Sequence, residues 1–284
     1  MRFNFRFLIL LCCVVLSTTG KAGNYKNTGD TTDKVQAVYA LEFENEVKLF
    51  APPLLFLGSD LFYKPIPLTA ADLSVLSVTN IPSFEQSVIY FDSLDAARAD
   101  VMSDVINYIS FGITGLVILS TLPDKKIFFT NGVIYAEGAL LTLGITEVLK
   151  STVSRIRPYA YNTNYSDAYR LYKDPSSSFP SGHTSSTAYN CFFAARLIND
   201  YYLDNDQTGL KMATWGAAAA VPLVVGYLRT AAGKHFYTDV AAGYVLGAGI
   251  GLLLPELHEM DKIDLVVAPN LNMGFRGADL LLTF

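Results

Sequence analysis

A chain of 284 residues is long for a single domain and suits one main domain with an extension. Its residues are 51% hydrophobic and 17% charged, with mean hydropathy +0.30, which is more apolar than an ordinary soluble globule and points to membrane contact. A net charge of −5 excludes a nucleic-acid binder working through a basic face.

The start, MRFNFRFLILLCCVVLSTTGKAG, sets Arg2 and Arg6 before an apolar run from Phe7 to Leu16, then Gly20 and Ala22 at −3 and −1 to a cut. This is the pattern of a secretory signal peptide over residues 1–22, with an uncleaved anchor as the alternative. The apolar run is short for a span. Without residues 1–22 the chain keeps 18 basic against 26 acidic residues, and Cys191 is its one cysteine. That excludes an internal disulfide and a cysteine-based metal site.

Residues 23–104 read as an extension or lid: a polar start, an apolar piece LFAPPLLFLGSDLFY broken by Pro52, Pro53 and Asp60, and an acidic stretch before Asp104. The main domain, residues 105–254, opens on VINYISFGITGLVILSTLP, an uncharged run long enough to span a bilayer. Four further apolar segments follow, Ile127–Leu149, Ser186–Ile198, Ala213–Leu228 and Tyr237–Leu254. The predicted fold is all-α, an antiparallel bundle of about five apolar helices embedded in a membrane; a soluble all-α domain with unusually apolar helices is the alternative. Gly243, Gly247 and Gly251 line one face of the last helix and let a neighbour approach closely. Glu137 and Glu147 are costly facing lipid and are expected toward the bundle interior or near its end. The tail, residues 255–284, reads as two short β runs about an Asn- and Gly-rich turn, a C-terminal β-hairpin.

Three motifs flank these segments. In SSSFPSGHTSST, Pro180 and Ser181 suit a helix start, whose free amides favour an anion; Gly182 allows close approach, and His183 stands beside it. KSTVSRIRP holds Lys150, six residues, then Arg157 and Pro158. RTAAGKHFYTD holds Arg229, five residues to His235 and three more to Asp239. Each alone fits an ordinary helix terminus or a surface pair. His258, in PELHEMD, has no partner pattern and reads as surface. If the helices alternate in direction, the three motifs meet at one end of the bundle. Three cations, helix-start amides and two imidazoles around one point describe a phosphoryl site.

Together the three blocks resemble the signature of the type 2 phosphatidic acid phosphatase (PAP2) superfamily, which includes bacterial acid phosphatases and vanadate haloperoxidases. The resemblance covers about residues 105–254. It implies that His235 is the nucleophile, with Asp239 orienting its ring, and that His183 is the general acid. It implies a phosphate cradle of Lys150, Arg157, Ser181, Gly182 and Arg229, with no metal and no cofactor required. Leu228 departs from the pattern, standing where the family usually has serine. The implied activity is hydrolysis of a phosphate or diphosphate monoester, of a lipid such as an undecaprenyl, phosphatidyl or lipid A carrier. A soluble periplasmic acid phosphatase and a vanadate-dependent haloperoxidase are the alternatives. With five spans, Lys125 and Lys126 fall inside and the motifs face the periplasm, in a bacterial inner membrane. Tyr159, Tyr161, Tyr165, Tyr169 and Tyr172 form either a lip for a lipid headgroup or a small core of their own.

Overall fold

The computed structural model describes residues 37–41, 46, 67–90, 93–172 and 174–259, with the backbone of two strands at 264–270 and 277–283. The proposed signal peptide and the whole proline-broken apolar piece lie outside the described residues. Five long helices make the bundle: α1 (Ser93–Ser120), α2 (Lys125–Val153), α3 (Gly182–Tyr202), α4 (Thr208–Ala231) and α5 (Tyr237–Leu257). Strands Asp264–Asn270 and Gly277–Thr283 pair antiparallel, and the connection expected to make them a hairpin lies outside the described residues.

Among the described residues, four helical stretches are long and apolar enough to cross a membrane: Leu94–Ser120, Lys125–Tyr161, Thr208–Ala231 and Tyr237–Leu257. The expectation of five is therefore corrected at α3. That helix packs against each of the other four, so it has no need of an apolar surface. Toward α1 it is polar: Ser186 and Thr187 donate to Asn107 Oδ1 at 2.8 and 2.9 Å, and Asn190 donates to Ser110 Oγ at 3.0 Å. Such bonds offset the cost of burying the polar groups. Apolar side chains instead face outward from α1, α4 and α5, among them Val105, Leu116, Leu223, Tyr227 and Val245. A soluble protein rarely exposes so much apolar surface in one band. The chain is an integral membrane protein.

The glycine face of α5 lies against α3. A Cβ added at Gly247 would stand 1.9 Å from the Ser185 carbonyl oxygen, and one at Gly243 would stand 2.5 Å from that of Ser181. Nothing lies within 4 Å of a Cβ at Gly249, on another face of the same helix. Gly247→Ala will therefore push α5 off α3 and destabilise the detergent-solubilised protein by about 3 kcal/mol. Gly249→Ala will leave the thermal midpoint unchanged or slightly raised, since alanine is the better helix former. Equal midpoints for the two variants would contradict this packing.

Two boundaries differ from expectation. Helix α1 begins at Ser93, so the division between residues 104 and 105 falls inside it. Its first three turns hold Asp95, Arg98, Asp100 and Asp104 but no helix breaker, and charge alone does not end a helix. The extension also divides between the two ends of the bundle. Tyr39 bridges to Glu259 beyond α5, and its hydroxyl bonds Asp200 near the end of α3. Glu85 and Ile89 sit at the opposite end, against Thr238 and Asn162. The 21 residues of α3 put about 30 Å between these ends.

Candidate functional site

The three motifs meet at the end of the bundle where α2 finishes and α3 and α5 begin. Ser154, left-handed at φ 46°, caps α2 and turns the chain back, and Arg157 then caps a short helix, Pro158–Tyr161. Helix α3 starts at Gly182 with Ser181 as its cap, one residue beyond Pro180. The Ser181 hydroxyl accepts from the Thr184 amide and is fully buried, and its own amide donates to the Asp239 carbonyl. Ser181 is thus committed to the helix cap. The first-turn amides of Gly182 and His183 have no acceptor within the helix. A Cβ on Gly182 would stand 3.3 Å from Lys150 Nζ, so the missing side chain lets the lysine close on the helix start.

His235 is buried, and its Nδ1 lies 2.6 Å from the Ser178 carbonyl oxygen. A carbonyl only accepts, so Nδ1 carries the proton and Nε2 keeps a lone pair. Nε2 faces Arg157 Nη1 at 3.5 Å. Burial first, then the cations Arg157 and Arg229, push this imidazole well below its usual pKa, so it is neutral. A neutral nitrogen with its lone pair turned toward a guanidinium has the chemistry a nucleophile needs beside a bound anion.

His183 is less enclosed, with a third of its side chain exposed. Its Nε2 bonds Asp104 Oδ1 at 2.7 Å. Burial and the Arg229 charge lower its pKa to about 4, against the raising effect of Asp104. Arg229 Nη1 donates to Asp100 Oδ1 at 2.7 Å and to Ser103 Oγ at 3.1 Å, while its buried Nε has no partner among the described residues. Lys234 Nζ lies 3.3 Å from Asp100 Oδ2. Asp100 and Asp104 were not singled out from the sequence. Their i, i+4 spacing just ahead of an uncharged run was the available signal, since it puts both carboxylates on one face of α1. Side-chain exposure is 33% for His183 and 45% for Asp104, so the site opens beside α1. The exposed Val101, Val105 and Tyr108 flank that opening.

Asp239 does not touch the His235 ring as expected. Its Oδ2 accepts from Ser178 Oγ at 2.6 Å and from the Phe236 amide at 2.8 Å, and its Oδ1 pairs with Arg155 at 2.5 Å. Because Asp239 is one turn into α5 while His235 precedes the helix, its carboxylate caps the helix start and holds Ser178. The Ser178 carbonyl then sets the ring. Arg155 extends this support, donating to Glu85 Oε2 at 2.6 Å and lying over the Phe236 ring. Glu85, Arg155 and Ser178 were also missed, because each acts only through contacts distant in sequence.

The tyrosine loop folds on itself. Tyr159 is buried and donates to the Tyr172 carbonyl at 2.6 Å, Tyr165 stacks on Tyr169 at 4.6 Å, and Tyr161 meets Phe236 edge-on. Of the two readings, the small core describes Tyr159, Tyr161 and Tyr165, while Tyr172 stays exposed. His258, read as surface, is instead buried, because Tyr39 and Glu46 lie against the end of α5.

Comparison with known proteins bears on what this arrangement is. Residues 131–262 match the family profile described as PAP2 superfamily. Phosphatidylglycerophosphatase B of Bacillus subtilis (strain 168) is 25% identical over 213 residues, covering 70% of this chain and 97% of the relative. A crystal structure described as the first transmembrane PAP2 type phosphatidylglycerolphosphate phosphatase from Bacillus subtilis is matched with TM-score 0.34. Its identity is 21%, over 75% of this chain and 94% of that one. With the three motifs gathered at one bundle end, residues 131–262 form a PAP2-type region, and the chain is a phosphatase.

Proposed function

We propose that the chain hydrolyses a phosphate monoester of a membrane lipid, of the phosphatidylglycerophosphate kind, through a phosphohistidine on His235. The observation that carries this reading is the neutral His235 ring, its Nε2 lone pair directed at Arg157 in a site that opens beside the apolar face of α1. A headgroup phosphate can reach such an opening while the acyl chains stay in lipid. Lys150, Arg157, Arg229 and the first amides of α3 hold the phosphate oxygens, and the buried Nε of Arg229 gains the partner it lacks. Nε2 of His235 attacks phosphorus as the bond to the lipid oxygen breaks, and His183 gives that oxygen its proton. His183 then takes a proton from water, which attacks phosphorus and frees phosphate and the His235 ring.

In the absence of substrate His183 is neutral, so it must gain its proton as the anionic phosphate arrives and offsets the Arg229 charge. Asp104 assists, because an adjacent carboxylate favours imidazolium. Asp104→Asn removes a raising influence, so the His183 pKa falls further and less of the acid form is present at neutral pH. The turnover number will drop about tenfold at pH 7, with the basic limb of its pH profile moved downward. An unchanged profile would separate Asp104 from the proton transfer.

The site faces away from the cytoplasm in this reading, with Lys125 and Lys126 at the opposite, inner end. Phosphate release from detergent-dispersed phosphatidylglycerophosphate, phosphatidate and undecaprenyl diphosphate tests the activity, with bromide oxidation in added vanadate run alongside. Bromide oxidation with no phosphate release would overturn the proposal.

A further inference from the structure

At the other end of the bundle, about 30 Å from His235 by the length of α5, lies a second cluster that the phosphatase chemistry does not use. Glu137, three turns into α2, meets Glu46 and His258 in the interior, and all three are buried. One oxygen from each carboxylate and one ring nitrogen lie within 4.8 Å of one another. His258 Nε2 is 3.1 Å from Glu137 Oε2 and 3.4 Å from Glu46 Oε1. Neither approach is aligned as a hydrogen bond. All four carboxylate oxygens and Nε2 are buried without a hydrogen-bond partner among the described residues.

Such orphaned polar atoms call for an explanation. The tautomer of His258 supplies one. Its Nδ1 lies 2.8 Å from the Leu254 carbonyl oxygen, which can only accept, so Nδ1 carries a proton and Nε2 is the nitrogen turned toward the two carboxylates, where an ion can take its lone pair. A histidine held by a backbone carbonyl at one nitrogen and free at the other is the usual preparation of a metal ligand. Charge points the same way. Without an ion the three groups reach neutrality only by holding a proton on one carboxyl as well as on the ring, whereas two carboxylates, a neutral imidazole and a divalent ion sum to zero. Arg196, the nearby cation, is engaged with Asp200, Glu256 and Glu259. Separations of 3.1 and 3.4 Å match the edge of a tetrahedron about an ion with ligand bonds near 2.0–2.1 Å, which is about 3.3 Å.

We propose that Glu46, Glu137 and His258 bind one divalent transition-metal ion, Zn²⁺ or Mn²⁺, as a structural site that ties the segment at Glu46 to α2 and to the end of α5. The full chain, purified in detergent without added chelator, will carry about one such ion per molecule by mass spectrometry. Stripping with dipicolinate will lower the thermal midpoint by several degrees, and adding back Zn²⁺ or Mn²⁺ will restore it. His235→Ala will keep the ion, whereas Glu137→Gln and His258→Gln will lose it and show no midpoint response to either metal. Since a variant can fail to fold, the stripped and reloaded wild-type chain decides the matter. If it binds neither ion and its midpoint does not move, the three side chains share protons instead and the proposal is overturned.

Discussion

Phosphate release by His235→Ala falls to background, a loss on the order of 10⁶-fold, the scale seen when a covalent nucleophile is removed. His183 is also neutral, but its Nε2 is bonded to Asp104, whereas the Nε2 lone pair of His235 faces the Arg157 guanidinium. The Lys150 and Lys234 ammonium groups are held as ion pairs by Glu147 and Asp100, and the guanidinium of Arg229 is likewise bound to Asp100. Rapid acid-free quenching after mixing with ³²P-labelled substrate will show label on the wild-type chain and none on this variant. Label retained by His235→Ala would remove His235 from the role of nucleophile while leaving the PAP2-type match of residues 131–262 intact.

His183→Ala slows the turnover of lipid substrates by roughly 10²–10⁴-fold, the usual contribution of a general acid. The deficit shrinks for an aryl phosphate, whose leaving oxygen departs with little protonation, and the covalent label on His235 persists. The contrast separates proton donation from phosphate binding, because a residue that only held phosphate would cost the two substrates equally. Equal losses on both would reassign His183 to the cradle. Measurement across pH adds a second check. With its pKa lowered to about 4 in the free protein, His183 depends on bound phosphate to become protonated. The basic limb of the free-enzyme profile therefore lies lower than an ordinary histidine would give.

The motif residues were legible because each block is local. A serine cap, a glycine that admits a lysine and a histidine at a fixed offset are set by a few consecutive residues. Short connections set the antiparallel order of α1 with α2, α3 with α4 and α4 with α5, while a long loop joins α2 to α3. The acidic partners were not legible in the same way. Asp100 and Asp104 looked like the polar end of an extension, and only the packing of α1 against α3 and α4 carries them to His183 and Arg229. Asp239 shows the reverse error. Its spacing from His235 suggested direct contact, but the start of α5 lies between them and the carboxylate reaches Ser178 instead.

By itself the sequence determined the helical class, the membrane character and the three motif blocks. These depend on apolar run length and on residues close together in the chain, which local physics controls. The tertiary structure alone decided that α3 is sheathed rather than lipid-facing, and that a backbone carbonyl rather than Asp239 sets the tautomer of His235. It also decided that His258 is buried with Glu46 and Glu137. Each of these rests on groups separated by tens to hundreds of residues, and burial and charge pairing act on distance in space, which a linear pattern does not record.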